Sequence, residues 1–264
     1  MEEPLEIRME LPGEGRPVMR QVSVTMRTPG QDFELAAGFL FSESILGSRD
    51  EVREISYCLD ESPQEYNIVS VRLRPGVSID PTLLNRNFYT TSSCGVCGKA
   101  SIEAVEATGC TLLPSGTLAM GADRIASLPD LLLEGQTTFR KTGGLHAAGL
   151  FDADGKLEIL REDVGRHNAV DKVIGQGFLE GALPWNDRVL VVSGRTSFEI
   201  IQKAVRAGIP MVVAVGAPSS LAVDLARRFK LTLLGFARPG GFNLYSGEER
   251  VLDWEGSESD AHPP

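Results

Sequence analysis

Three short, uninterrupted apolar runs punctuate the C-terminal part of the sequence, and few folds can accommodate them. They are Arg188 to Ser193, Pro210 to Val215 and Leu231 to Phe236. Between them lie two amphipathic segments. Ser197 to Ala207 gathers Phe198, Ile201 and Val205 on one face, and Ser219 to Phe229 gathers Leu221, Leu225 and Phe229. A strand that is apolar along its whole length must be covered on both sides, and alternation with helices marks a parallel βαβαβ unit. The expected fold class is therefore α/β, with a parallel segment of sheet between layers of helix.

Upstream the pattern changes. Leu5 to Leu11 and Val18 to Arg27 alternate apolar and polar residues, as half-buried strands do, and Pro12-Gly13-Glu14-Gly15 between them is turn chemistry. Phe33, Ala37, Leu40 and Ile45 fall near helical spacing, with Gly47 as the stop. Glu54 to Leu59 and Tyr66 to Arg74 read as further strands, the second closed by Pro75-Gly76. Ala100 to Ala107 and Asp123 to Leu133 read as helices, the latter open to interruption at Pro129. Leu145 to Phe151 and Leu157 to Arg161 form a hairpin through Asp152-Ala153-Asp154-Gly155, and Asn168 to Ile174 is helical. Residues 1–90 are thus expected as a small β-rich domain, 91–255 as the α/β domain, and 256–264 as a polar, disordered tail.

Composition narrows the function classes. The chain of 264 residues carries a net charge of −10, from 26 basic and 36 acidic residues, which opposes non-specific nucleic-acid binding. No apolar run approaches the roughly 20 residues of a membrane-spanning helix, and Met1-Glu2-Glu3-Pro4 lacks the apolar core of a secretion signal. A cytoplasmic protein without membrane or nucleic-acid partners is expected. Four cysteines are too few for a disulfide scaffold. Cys58 and Cys110 stand alone and read as small buried hydrophobes.

The other two stand together in Cys94-Gly95-Val96-Cys97. Glycines flank them, Lys99 adds positive charge, and a helix is expected to start just after Gly98. Unpaired N–H groups and the positive end of the helix dipole would then lie beside the sulfurs. These influences favour the thiolate, the reactive form of cysteine. Zinc would require a second ligand pair, and Cys58, Cys110, His146 and His167 supply none in paired spacing. A thiol–disulfide pair is allowed by the spacing, although the glycine-rich flanks differ from a thioredoxin-like context. Two inert buried cysteines fit those flanks poorly. Nucleophilic or carrier chemistry is the preferred reading.

Three further segments could bind or catalyse. Ser193-Gly194-Arg195-Thr196-Ser197 and Ala217-Pro218-Ser219-Ser220 each join a buried strand to a helix, where α/β sheets bind ligands and helix N-termini hold anions. Plain helix capping by Ser or Thr explains either loop alone. Gly235-Phe236-Ala237-Arg238-Pro239-Gly240-Gly241 offers an arginine fork beside an aromatic ring, suited to a phosphate or stacked base, or simply a turn into the next strand. Glu162-Asp163-Val164-Gly165-Arg166-His167 mixes acid, base and imidazole. There a helix start capped by Asp163, with Arg166 solvated, is the preferred reading. His146, in an apolar strand, reads as a core histidine.

With these residues in place the chain resembles the FdhD family, the sulfur-carrier accessory proteins of formate dehydrogenase. The resemblance runs from about Thr28 to Val251. It rests on Pro29 through Ser42 around Ala36-Ala37-Gly38-Phe39, on Cys94-Gly95-Val96-Cys97-Gly98, and on His146-Ala147-Ala148. Glu162 through His167, Ala169-Val170-Asp171-Lys172, and Gly235 through Gly240 complete it. The order and spacing of these segments are specific together rather than singly.

The resemblance implies a cytidine deaminase-like α/β domain behind a smaller β-rich domain, assembled as a homodimer. It implies that Cys94 takes sulfur as a persulfide from a cysteine desulfurase. The sulfur would then pass to the molybdenum or tungsten atom of a bis-guanine-dinucleotide pterin cofactor, Mo-bis(molybdopterin guanine dinucleotide), for the formate dehydrogenase apoenzyme. Cys97 is the second thiol. The family's guanine-dinucleotide segment falls on Phe236, Ala237, Arg238, Pro239, Gly240 and Gly241, with GDP as a mimic of the cofactor's nucleotide. Many relatives end that segment on a basic residue where this chain has Gly241, while Arg238 keeps the basic position before the proline. Zinc deaminases of that fold carry His-x-Glu and Pro-Cys-x-x-Cys; here His146-Ala147-Ala148 lacks the glutamate and Ser93 precedes Cys94, so deamination is not expected. The rivals to sulfur carriage are a non-catalytic guanine-dinucleotide chaperone and a thiol–disulfide redox protein.

Overall fold

A computed structural model describes residues 2–11, 17–58, 65–80 and 110–254. The loop of Cys94 and Cys97, the helix expected over 100–107, the boundary expected near residue 90 and the tail 256–264 lie outside the described residues.

Strands β1 (Glu3–Leu11) and β2 (Val18–Arg27) pair antiparallel, with Glu3 opposite Arg27 and Leu11 opposite Val18. Leu5, Ile7, Met9 and Leu11 are buried while Glu6, Arg8 and Glu10 between them are not, so the period-2 pattern faces the core as expected. Helix α1 (Asp32–Ser42) follows and stops before the expected Gly47. Ser44 adopts φ 59°, and the N–H groups of Ile45 and Leu46 both donate to Leu40 O, so the αL cap falls on a serine instead of a glycine. Strands β3 (Val52–Tyr57) and β4 (Ile68–Leu73) complete a four-stranded sheet of order β2-β1-β4-β3, in which β1 and β4 run parallel. Cys58 and Cys110 are half-buried, which corrects their reading as core residues.

The second part begins with β5 (Met120–Gly121) and helix α2 (Ala122–Gly135), which runs unbroken through Pro129. Proline removes one hydrogen bond, but Ile125, Leu128, Pro129 and Leu132 are all buried, and that packing holds the helix together. A short α3 (Phe139–Thr142) leads to the hairpin of β6 (His146–Phe151) and β7 (Leu157–Asp163). Its turn is closed by Asp152, whose Oδ1 accepts from the N–H groups of Asp154 and Lys156, and by Gly155 at φ 76°. Then come α4 (Arg166–Glu180), β8 (Val189–Val192), α5 (Phe198–Arg206), β9 (Met211–Ala214) and α6 (Ser220–Arg228). Strands β10 (Thr232–Arg238) and β11 (Gly241–Ser246) form a terminal hairpin, and β12 (Val251–Leu252) pairs with β5.

The larger sheet has six strands in the order β11-β10-β9-β8-β6-β7, with β8, β9 and β10 mutually parallel. The expected βαβαβ unit is therefore present at its centre. Val189, Val191, Met211 and Val213 point to the face covered by α2, packing with Ile125, Leu128 and Leu132. Leu190, Val192, Val212 and Ala214 point to the opposite face, in one cluster with Val170 of α4, Ile201 of α5, Leu225 of α6 and the buried row of β1. Among the described residues no helix is long and apolar enough to cross a membrane.

The two sheets are joined through the contact of α1 with α4. A Cβ at Gly38 would overlap the carbonyl oxygen of Asp171, and one at Gly175 would overlap that of Glu34, so the helix backbones touch. Beside this crossing, Lys172 Nζ lies 2.7 Å from Asp163 Oδ2 with both side chains fully buried. Lys172 also donates to Thr28 O at 2.9 Å. Lys203 of α5 pairs with Asp171 at 2.8 Å, and Ser42 at the end of α1 donates to the same carboxylate at 3.0 Å. Because the obstacle at Gly38 is backbone, no rotamer change relieves it. Gly38→Ala is expected to destabilise the chain by about 3 kcal/mol, read from denaturant unfolding. Gly144→Ala, where a Cβ would come no closer than 4.0 Å to Thr142 O, should stay within about 0.5 kcal/mol of the parent.

Candidate functional site

The carboxyl ends of β8, β9 and β10 converge because two glycines let their loops meet at close distance. A Cβ at Gly216 would lie 2.8 Å from Arg195 N, and one at Gly235 would lie 2.8 Å from Pro218 Cδ and 3.2 Å from Gly216 O. Hydrogen bonds then carry the ladder beyond the strands. Gly216 N–H donates to Gly194 O at 3.2 Å, Phe236 N–H to Gly216 O at 3.3 Å, and Thr196 N–H to Ala217 O at 3.1 Å. Ligands of open α/β sheets bind at such an edge.

Strand β6 runs antiparallel to β8, with Ala148 opposite Val192, so its first residue reaches the loop after β8. A Cβ at Gly194 would meet His146 Nδ1 at 3.2 Å and Arg166 Cδ at 3.9 Å. Both side chains therefore lie over this glycine. Arg166 and His167 open helix α4, whose first turn contains no acidic residue. His167 Nε2 lies 2.9 Å from Ser197 Oγ and 3.7 Å from Glu199 Oε2. Ser197 in turn hydrogen-bonds the Glu199 carboxylate. The ring nitrogen or the hydroxyl donates in the His167–Ser197 bond according to the imidazole tautomer.

The neighbouring acids are engaged elsewhere. Asp163 Oδ1 accepts from Gly165 N–H at 2.8 Å and from Asn168 at 3.1 Å, while Oδ2 serves Lys172 and Thr28 N–H. Burial, then the Arg166 charge, lowers His146 below the usual imidazole range, with Asp163 opposing. Burial, then Arg166 and Lys203, brings His167 down from 6.5 to about 4 despite Glu199. Burial works against Glu199, but the hydrogen bond from Ser197 and its own backbone N–H keep it below the ordinary carboxylate value. Both imidazoles are neutral near pH 7.

The segment Phe236 to Gly241 forms the tip of the β10–β11 hairpin. Gly235 pairs with Asn243 and Arg238 with Gly241, so the β10 side carries one extra residue, a bulge at which Phe236 takes φ 53°. Gly240, at φ 85°, closes the turn after Pro239. Phe236 and Arg238 are exposed, Ala237 is buried, and Arg238 donates to Phe236 O at 3.0 Å. The segment is a strand-to-strand turn that also displays a ring and a guanidinium on the edge where the parallel strands end.

The structure thus gathers Phe236 and Arg238 with the loops of Gly194 and Gly216, and adds residues that sequence reasoning read otherwise. His146 is half-buried at the sheet edge rather than in the core, because β6 begins there. Arg166 is only partly solvated: the residue is half-buried, and its Nε is buried without a hydrogen-bond partner among the described residues. Capping holds for Ser219, which accepts from Ala222 N–H at 3.2 Å, but not for Ser197, whose hydroxyl is turned to His167. Arginine and histidine at a helix start, without an acid, was the available signal. Among the described residues no group of three or more His, Cys, Asp or Glu side chains is arranged to hold a metal.

A model of the FdhD/NarQ family matches residues 1–252. A protein of Streptomyces avermitilis named sulfur carrier protein FdhD is 53% identical over 254 residues, covering 95% of this chain and 87% of that protein. One of the same name from Sulfurisphaera tokodaii is 42% identical over 251 residues, covering 95% and 90%. The crystal structure of a protein from Desulfotalea psychrophila, provisionally assigned as a formate dehydrogenase accessory protein, superimposes with a TM-score of 0.71 at 27% identity, covering 96% of this chain and 90% of that one.

The state of His167 has a measurable consequence. In the unfolded chain it binds a proton as pH falls through 6.5, but in the folded chain only near 4. Its contribution to stability is intact above pH 6.5 and is lost as pH falls toward 4. NMR titration should find the His167 imidazole neutral at pH 5.5. Urea unfolding of His167→Gln should show a smaller stability loss between pH 7 and 5 than the parent; an equal or larger loss would contradict the assignment.

Proposed function

The chain belongs to the FdhD/NarQ family, and from that membership we propose that it is a sulfur carrier serving the maturation of formate dehydrogenase. The observation that carries this reading is identity of 53% across 95% of the chain to a protein named for sulfur carriage. Relatives as far apart as Streptomyces and Sulfurisphaera bear the same name.

In its finer form, the reading assigns the sulfur to Cys94. Its thiolate attacks the outer sulfur of a cysteine desulfurase persulfide. The donor's S–S bond breaks as the new one forms, the desulfurase cysteine leaves as a thiolate, and no net oxidation occurs. The acceptor is the metal of the bis-guanine-dinucleotide cofactor, a substrate of the carrier rather than its resident group. Phe236 and Arg238 support the nucleotide part of this proposal: an exposed ring can stack on a base, and a guanidinium with one backbone partner can bond a base edge or phosphate. Cys97 is assigned as the second thiol of the loop. A cytidine deaminase-like topology, a homodimer and a cytoplasmic location complete the reading.

Incubation of the full chain with a cysteine desulfurase and cysteine, followed by peptide mass mapping, tests it. The Cys94 peptide should gain the mass of one sulfur atom, and Cys94→Ala should abolish sulfur delivery. Arg238→Ala should load sulfur normally yet bind GDP at least tenfold more weakly, the cost of one charged hydrogen bond of about 1.5 kcal/mol or more. Delivery unaffected by Cys94→Ala, combined with loss in Arg238→Ala, would overturn carriage in favour of a non-catalytic nucleotide-binding chaperone.

A further inference from the structure

We propose that the open edge of β2 is a self-pairing surface. On it a second copy of this chain lays its own β2 antiparallel across a two-fold axis, joining two four-stranded sheets into one. The pairing gives a place to the homodimer of the proposed function and rests on that reading only for the number of copies; the surface follows from β2 alone.

Strand β2 lies at the end of its sheet, and no other described strand pairs with its far side. Natural edge strands avoid pairing by being short or by carrying lysine or proline. This one runs for 10 residues with neither. It also concentrates apolar exposure. Val18, Met19, Val24 and Met26 are 44%, 38%, 47% and 50% exposed, and among the described residues only six other large hydrophobic side chains face solvent to this degree. Such residues need no explanation singly, but a row of them on one strand marks a contact surface. The charges behind the row are already paired, Glu6 with Arg8 at 2.6 Å and Glu10 with Arg72 at 3.7 Å, so a neighbour laid along the edge meets no free carboxylate there.

The backbone of the same row is turned outward. In an antiparallel ladder, alternate residues point both N–H and C=O to one side. Glu6 N–H donates to Asn67 O beside β4, so Glu6, Arg8 and Glu10 point away from β2, and their partners Val24, Gln21 and Met19 point away from β1. Met26 continues the row, but its carbonyl accepts from Asn168 at 2.8 Å. Helix α4 thus closes the end at Met26 and leaves Met19 through Val24 open.

A bulge makes this row its own complement. Ile7 pairs with Ser23 and Arg8 with Gln21, so Val22 is the extra residue. The outward residues are therefore Met19, Gln21, Val24 and Met26, spaced evenly about the midpoint between Val22 and Ser23. A two-fold axis at that midpoint sets Gln21 against Val24 of the second copy, and Val24 against Gln21 of the second copy, with about four backbone hydrogen bonds between them. Met19 then meets the side chain of Met26 of the second copy, two flexible groups that adapt to each other. Arg20, the one exposed charge on the strand, falls opposite Thr25. An axis through Arg20 would instead set two like charges face to face.

Sedimentation velocity of the full chain, with hydrogen exchange resolved by residue, tests the pairing. The parent should sediment as a dimer, and the amides of Met19, Gln21 and Val24 should exchange about tenfold more slowly in it than after dilution to monomer. Val24→Lys, which puts a charge into the row, should weaken association by about tenfold or more. Chains carrying Gln21→Cys and Val24→Cys, mixed under oxidised glutathione, should form a linked dimer whose joined peptides contain both substituted positions, while neither chain links to itself through its own substitution. A monomeric parent overturns the proposal. So does a dimer that is indifferent to Val24→Lys and leaves the β2 amides unprotected, since the copies then meet elsewhere. Should Val24→Lys fail to fold, exchange at β2 in the parent decides. Sulfur loading of Cys94 is read separately: a monomer that loads sulfur removes the pairing and leaves carriage standing, whereas a β2-paired dimer that loads none keeps the pairing and removes carriage.

Discussion

The backbone contact between α1 and α4 is the constraint on which the rest of the molecule depends. Gly38 and Gly175 bring the helices close enough that a carbonyl of each occupies the space a methyl group would need. The closeness sets α4 in depth, and two buried ion pairs set its rotation. Asp171 and Lys172 are consecutive and face different partners, Lys203 on α5 and Asp163 at the end of β7. Burial raises the Asp171 carboxyl, and Lys203 counters it. For Lys203, burial opposes the charge, while Asp171 and Glu43 hold it above the ordinary lysine value. Such pairs add little net stability, but losing one partner strands a buried charge. Any rotation of α4 would strand both pairs at once, so they fix its register.

That register carries through to the sheet edge. Thr28, just past β2, accepts from Lys172 through its carbonyl, donates its N–H to Asp163, and accepts from Val164 N–H through its hydroxyl. The four-stranded sheet is thereby tied to the residues immediately before Arg166. A helix whose middle is locked by ion pairs and whose entry is locked by Thr28 can hold Arg166 over Gly194 although its Nε has no hydrogen-bond partner among the described residues. The glycine contacts at Gly216 and Gly235 then place the Phe236–Arg238 tip on the same edge.

Much of this architecture was legible because strand and helix periods differ. The apolar runs around Leu190, Val212 and Leu233 and the amphipathic segments between them read directly, as did the Asp152–Gly155 turn. Details set by tertiary contact did not. Pro129 survives inside α2 because its neighbours are buried, and α1 stops at Ser42 because Ser44 takes the αL cap before Gly47 is reached. The ion pairs were illegible for a physical reason: Asp163, Asp171, Lys172 and Lys203 look like ordinary surface residues until the fold buries them. For the Phe236–Gly241 segment, residue type left a ligand-binding arginine and a plain turn open; the turn is present, with Phe236 and Arg238 exposed on it. His146 could not, because its place depends on the antiparallel pairing of β6 with β8.

The electrostatics of the whole chain and of its sheet edge run in opposite directions, and both matter. A net charge of −10 repels polyanions, but at physiological ionic strength that repulsion fades over a Debye length of about 8 Å. Beside Gly194 stand the Arg166 side chain, whose Nε is unpaired among the described residues, and Arg195 next in the chain, while Asp163 and Asp171 are paired with their lysines. A nucleic acid, spreading its phosphates over a broad surface, meets mostly the repulsive field. Local rules of helix charge are broken at this edge, where Arg166 and His167 open α4 with no acid in the first turn.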